Sequence, residues 1–439
     1  MASNNDKSPF LHNVYGFLTG DEDARVCKEI PENACREQPR NYVLHIIALT
    51  GTTIGDSLAS PKLVLAWLLT NVGAPQFMLG LLVPIRESLS LLPQLFIAKW
   101  IREVPVRKWF WVVGSIAQGL CVASMAVAVT RLSGAAAGWA VLGLLVVFSL
   151  SRGVCSVASK DVLGKTVAKT RRGSVSGYAA SAAGAVVVAI GVAGFLPGSD
   201  GHGMMFYVLL LTAAGGLWMI SAATYSLLNE HPGATEGGGN AIREAFEQFS
   251  VIRKDAELRH FIIVRTLLIS TALVAPFYVS LMSSASGEAL AGLGALMIAS
   301  GAASFVSAPV WGRLSDRSSR QVMAAAAALA GVTGIGTAMV AWLSAGTLGV
   351  WWFPVAYFLL SVAHAGVRLG RKTHLVDIAS ADNRATYVAV SNTIIGIMLI
   401  VGGAFAGAAA SFGPAGAIFI LALVSLAGAV SALRLSEAQ

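Results

Sequence analysis

Charge is scarce in this sequence. Asp, Glu, Lys and Arg make up only 12% of its 439 residues, about half their share in a soluble domain. Hydrophobic types reach 55% and mean hydropathy is +0.69. A soluble globular enzyme or a disordered chain does not have this composition. Cysteine is equally sparse: Cys27, Cys35, Cys121 and Cys155 are too few for a disulfide framework. Proline occurs 14 times against 46 glycines, a balance that suits closely packed membrane helices. The motifs of chemistry are missing too. No Walker A sequence offers ATP drive. No H-E-x-x-H, CxxC pair or G-x-S-x-G marks a metal or nucleophile enzyme. The chain is therefore expected not to be an enzyme and to need no cofactor or metal. The net charge of +8 does not point to nucleic acid, because most of the bases flank apolar runs.

Those runs are what the sequence has in abundance. About 20 apolar residues cross the hydrocarbon as a helix, and twelve such spans are predicted: 42–60, 76–98, 109–130, 136–159, 174–196, 204–228, 259–282, 289–311, 322–343, 349–368, 385–410 and 414–433. The first can run on past Pro61 to Leu69. Long continuous runs exclude a barrel, and backbone groups in lipid must be satisfied within each span, so the spans are helices. The first 40 residues hold seven acids and five bases and no apolar core, so they are not a signal peptide. With the amino terminus inside, the cytoplasmic loops carry 20 of the 31 bases and the external loops two, Lys62 and Arg131. That bias sets the orientation. Both termini are expected to be cytoplasmic, in a bacterial inner membrane, on a monomer. Cys27 and Cys35 are expected as reduced thiols of the tail.

The chain also repeats itself at a shift of 212 residues. Gly184 falls on Gly396, Gly191 on Gly403, Arg172 on Arg384 and Lys160 on Lys372. The fourth span bears a polar stripe, Ser149-Arg152-Ser156-Lys160, and the tenth its counterpart, Ser361-His364-Arg368-Lys372. Steps of three and four keep each stripe on one helical face. The expected architecture is an all-α membrane protein of twelve transmembrane helices in two pseudo-symmetric six-helix bundles. It divides into a tail (1–41), a first bundle (42–228), a linker with an amphipathic helix (229–258), a second bundle (259–434) and a short tail (435–439).

The loop after the eighth span, Gly312-Arg-Leu-Ser-Asp316-Arg317-Ser-Ser-Arg320-Gln321, resembles the G-x-L-x-D-R-x-G-R-K signature of the major facilitator superfamily. The equivalent loop after the second span keeps only the acid, Glu103, in Lys99-Trp-Ile-Arg-Glu103-Val-Pro-Val-Arg107-Lys108. The resemblance implies alternating-access transport. It also implies that Glu103, Gly312, Asp316, Arg317 and Arg320 form a cytoplasmic gate; the alternative is that these charges only fix topology. The fifth span lacks the internal Pro of the family's antiporter motif. Its Gly177, Gly184, Gly191 and Gly194 are expected to serve close packing.

Away from the span ends, five charged residues lie inside spans: Asp56, Arg86, Glu87, Arg152 and Arg265. An ionised group at the bilayer centre costs about 2.5–3.5 kcal/mol or more, so such residues face a wet cavity or one another. Asp56 shares a stripe with His45, Thr52 and Ser60. It is a proton-coupling candidate, or else the structural partner of a nearby Arg. Glu87 is the second coupling candidate and adjoins Arg86 about 100° round the helix, with their roles open to reversal. Arg86, Arg152, Arg265, Tyr357 and His364 are the substrate-binding candidates. Arg152 and Arg265 have two other uses open to them, salt bridges between the halves or snorkelling. The functional expectation is a proton-coupled secondary transporter for a small organic anion or zwitterion, with protons, a small solute and the lipid bilayer as its partners. The alternatives are an efflux antiporter for amphiphiles and a non-transporting receptor.

Overall fold

The computed structural model describes residues 14–16, 32–92, 97, 100–101, 103–168, 171–193, 203–233, 252–253, 255–286, 290–315, 317–343, 347–379 and 384–436. The first pass comprises α1 (Glu32–Leu58) and α2 (Val64–Asn71). After it come α3 (Gln76–Leu91), α4 (Lys108–Arg131), α5 (Gly134–Thr166), α6 (Arg172–Ala193) and α7 (Gly203–Ser226). The seventh pass is split into α8 (Ala256–Leu268), α9 (Ser270–Leu273) and α10 (Ala275–Ala285). The chain then continues through α11 (Leu290–Ser315), α12 (Ser319–Leu343), α13 (Thr347–Asp377) and α14 (Arg384–Ala409), and ends in α15 (Gly413–Ala432). Among the described residues, nine helical stretches are long and apolar enough to cross a membrane, the last being a 46-residue stretch that holds both α14 and α15. With the first pass and α3, this order accommodates the twelve predicted spans. The predicted amphipathic helix of the linker lies outside the described residues.

Apolar surface faces outward, as it must in lipid. On α4 the exposed large side chains are Trp109, Val113, Ile116, Leu120 and Val127, which share one helical face. The opposite face buries Ser115, Gln118 and Cys121. The polar groups of this helix therefore point into the bundle.

Each set of six passes returns to the end where it began. Asn41 at the start of the first pass exchanges two 3.0 Å hydrogen bonds with the backbone of Asn229, beyond α7. In the second set, His260 of α8 bonds Ser431 of α15 at 3.3 Å. Asp255 caps α8, accepting from the backbone N–H groups of Glu257 (2.9 Å) and Leu258 (3.0 Å). Burial alone would raise the pKa of its carboxyl, but bonds from Tyr387 and those two amides outweigh this and hold it below the ordinary 3.8.

The 212-residue repeat reappears in the seams between the halves. Gly191 of α6 lies against the carbonyl of Gly294 on α11, and Gly403 of α14 lies against the carbonyl of Gly80 on α3. Helices α6 and α14 are repeat mates, and so are α11 and α3. A Cβ on Gly80 would come within 2.7 Å of the Gly407 nitrogen, so this seam is backbone against backbone. The expected packing role of the fifth-span glycines holds for Gly191. Gly177 and Gly184 meet nothing within 4 Å, and Gly194 lies outside the described residues.

Two tail and loop expectations change. Cys35 is disulfide-bonded rather than a reduced thiol; Cys27 lies outside the described residues. Lys62, counted from sequence as an external-loop base, sits in the break between α1 and α2 and lines an internal cavity.

Candidate functional site

Two proline-associated breaks shape the site. Pro61 carries no N–H and cannot continue the α1 ladder. The chain passes through a tight turn in which the Ser60 carbonyl accepts from Leu63 (3.3 Å) and Leu65 (2.9 Å). In the seventh pass, Pro276 opens α10, and residues 269–274 bridge the gap with short-range bonds such as Ala272 to Ile269 at 2.9 Å. The two breaks deliver Lys62 and Thr271 to one cavity.

That cavity has a volume of about 570 Å³ and takes its walls from both halves. The first pass supplies Ser57, Ser60 and Lys62, α11 supplies Ser300 and Ser304, and α13 supplies Tyr357, His364 and Arg368. Gly184 of α6 opens onto it as well. Among the described residues that line it there are two basic chains, Lys62 and Arg368, beside His364, and no Asp or Glu.

A directed chain of hydrogen bonds crosses the cavity. An ammonium has donors only, so Lys62 Nζ donates to His364 Nε2 at 3.0 Å. His364 must then carry its proton on Nδ1 and donate to Thr271 Oγ1 at 3.1 Å. The Thr271 hydroxyl donates in turn to the Leu268 carbonyl at 2.9 Å. Tyr357 adds a 3.4 Å bond to the Lys62 carbonyl. Further bonds join the halves nearby, from Ser283 to Asn71 (2.8 Å) and from Ser280 to Gln76 (3.2 Å). The Ser283–Asn71 and Ser280–Gln76 bonds lie at the end of the molecule away from the Asn41–Asn229 pair, where the first pass ends and the second begins.

The intramembrane charges fall into two groups. Asp56 bridges two guanidiniums: Oδ1 accepts from Arg86 at 2.8 Å and Oδ2 from Arg152. Arg86 is buried and lies 5.0 Å from the Phe148 ring centroid, a cation–π contact. The Asp56–Arg152 pair borders a second chamber of about 220 Å³ inside the first half, walled also by Thr53, Gln118, Ser156 and Trp218. Thr53 lines both cavities. Glu87 lies in the field of Lys62, Arg86, Arg152 and Arg368 and forms no ion pair within 4 Å among the described residues. Arg265 stands apart. It is buried and donates to Ser391 at 2.6 Å and Asn392 at 2.8 Å, and its Nε has no partner.

The predicted gate is dispersed. Glu103 and Arg317 are exposed in turns, and Gly312 is in the penultimate position but two of α11. Arg320 bonds the Leu435 carbonyl at 2.9 Å, and Asp316 lies outside the described residues. Lys62 is the residue that sequence reasoning missed. Its signal was present in the apolar run 63–69, which extends the span beyond Pro61 and so encloses the lysine. Among the described residues no group of three His, Cys, Asp or Glu is placed to hold a metal.

Residues 261–439 match the family model described as Major Facilitator Superfamily. No curated protein matches the chain significantly by sequence. Solved structures do match by shape. A mutant of the nucleoside transporter NupG superposes with a TM-score of 0.70 at 11% identity, covering 90% of this chain and 100% of its own. A POT family transporter in complex with 5-aminolevulinic acid gives 0.68 at 9% identity, with coverages of 92% and 98%. A D-xylose-proton symporter gives 0.67 at 10%, with 91% and 98%.

Proposed function

We propose that the chain, whose residues 261–439 match the Major Facilitator Superfamily model, is a secondary transporter of that superfamily, moving a small organic anion or zwitterion, coupled to protons, by alternating exposure of the 570 Å³ cavity. The lobes are residues 42–228 and 259–434, joined by 229–258, with both termini on the cytoplasmic side of a bacterial inner membrane. One observation carries the reading: the cavity is walled from both lobes and its charged lining is basic, through Lys62 and Arg368. A solute held there touches both moving parts, so it can be released only when they separate. A wall of bases and hydroxyls suits an anionic group and disfavours the amphiphilic cations of an efflux pump.

His364 and Tyr357 line the solute site, and Arg152 borders it through the side chamber. Arg86 and Arg265, each fastened within its own lobe, serve as supports. Of the two carboxylates, Glu87 is the better proton carrier. Asp56 is engaged by two arginines, whereas Glu87 forms no ion pair within 4 Å among the described residues. Protonating Glu87 would strengthen the positive field on the cavity and so favour anion binding, which is linkage between proton and solute.

Proteoliposome flux tests this. Wild-type protein should accumulate solute under an inward proton gradient. Glu87→Gln should lose that accumulation and keep solute exchange. Gradient-driven uptake unchanged in Glu87→Gln would remove Glu87 from the mechanism. Solute binding without any flux would identify a receptor instead.

A further inference from the structure

The charges around the two cavities are out of balance. Lys62, Arg86, Arg152 and Arg368 lie around the two cavities, and among the described residues the acids placed against them are Asp56 and Glu87. Four bases against two acids is a costly arrangement in a membrane interior, where an unpaired charge lacks both water and a counterion. Much of their donor capacity is also unspent. Arg152 uses one of its five N–H groups on Asp56, and its side chain is 38% exposed, toward the chamber. Lys62 uses one of three on His364. Arg368 lines the cavity and makes no hydrogen bond or ion pair among the described residues.

These donors are grouped at two places within reach of one small molecule. Lys62 and Arg368 face each other from opposite lobes across the central cavity. Arg152 faces the side chamber, and the two spaces meet at Thr53. Asp56, which accepts from Arg152, is six residues before Lys62 on the first pass, with the turn at Pro61 between them. A short carbon chain with an acid group at each end can answer both places, one end through Lys62 and Arg368 and the other through Arg152. A monoanion would answer only one of the two clusters, and a zwitterion would bring its own cation into a field already positive.

We propose that the solute carries two ionised acid groups, as a dicarboxylate or an organic phosphate does, with one group held between Lys62 and Arg368 and the other against Arg152 in the side chamber. This rests on the reading of the central cavity as the solute site and narrows it from anions in general to divalent ones. The hydroxyls of Ser57, Ser60, Ser300 and Ser304 along the wall suit the uncharged middle of such a molecule. Coupling also follows from the count. A proton on Glu87 removes one of the two acids, so the divalent solute binds better with it and leaves more readily without it.

The test is a binding series on the purified full-length chain, with glutarate, butyrate, γ-aminobutyrate and glycerol phosphate at matched ionic strength. A second charge-assisted contact is worth about 10- to 150-fold in affinity. Glutarate or glycerol phosphate should therefore bind at least about 10-fold tighter than butyrate and γ-aminobutyrate, and whichever of the two leads names the acid group. Arg152→Gln should reduce that ratio to near one. Lys62→Arg, which keeps the charge, should preserve the ratio. Butyrate or γ-aminobutyrate binding as tightly as the dianions would overturn the proposal and leave the broader anion or zwitterion reading standing. Binding by none of the four would remove both. The ligand series on wild-type protein decides the matter even if a variant fails to fold.

Discussion

Replacing His364 by Phe deletes the acceptor for the Lys62 ammonium and leaves the rest of the α13 face in place. The lost contact is a single 3.0 Å hydrogen bond from a cation to a neutral ring nitrogen. Hydrogen bonds to charged groups contribute about 1.5–3 kcal/mol, and every 1.4 kcal/mol is about tenfold in an equilibrium. If the bond exists only while the lobes are closed at this end, His364→Phe should shift the balance toward the opposite state by about 10- to 150-fold. His364→Gln restores an acceptor at similar reach and should recover most of the shift. The assay is thiol labelling. Ser300 lines the cavity, and no bond across the lobes uses its side chain. A Ser300→Cys reporter, in a background lacking the free thiols Cys121 and Cys155, would be labelled by an impermeant reagent applied from the side away from the termini. Faster labelling in His364→Phe, reversed in His364→Gln, is the expected result. A labelling rate that His364→Phe leaves within about twofold of the parent, in protein that still folds, refutes the reasoning; the Lys62–His364 bond would then be present in both states.

Asp56→Asn leaves Arg86 and Arg152 facing each other without their carboxylate. Breaking a buried pair from one side costs about 3–5 kcal/mol. Its Tm in detergent should fall sharply, and Arg152→Gln added to it should recover part of the loss. Gly80→Val places a branched side chain against the Gly407 backbone. Overpacking of this kind costs about 1–3 kcal/mol, and transport should fall further than Tm because the seam lies between the lobes. Asp255→Ala removes the α8 cap and should cost about 1 kcal/mol. The Asp255 carboxyl is held below 3.8 by Tyr387 and two backbone amides. Its stabilisation is therefore present above that pH and is lost as pH falls through the folded value. The Tm difference between wild type and Asp255→Asn should narrow in the same window.

The helical skeleton was legible because each span is a long apolar run with few rivals for its backbone groups. Predicted and observed limits differ by at most three residues at the ends of α4, α6, α7, α12, α14 and α15. The exceptions follow from chemistry. Hydropathy ends the tenth span at Arg368, but α13 continues to Asp377, because a helix does not need apolar residues once it leaves lipid. Likewise α1 begins at Glu32, ten residues before the apolar run. In the site, the pairing of Asp56 with arginine was one of the two readings its position allowed, and the partners are Arg86 and Arg152. The lysine at position 62 was hidden by its neighbours. A proline and a base after an apolar run look like a loop, and only the run that follows shows that the pass continues. The isolation of Arg265 depends on Ser391 and Asn392, more than 120 residues away, a distance at which spacing carries no information.

The matching seams, Gly191 against α11 and Gly403 against α3, bear on where directionality can reside. Two bearings of the same make, set on either side of a pseudo-twofold axis, resist tilting equally in both senses. They therefore contribute little to any preference for one end over the other. That bias has to be written in whatever the duplication did not preserve, and a lysine at the first-pass break is one such mark, since its counterpart 212 residues later is Val274.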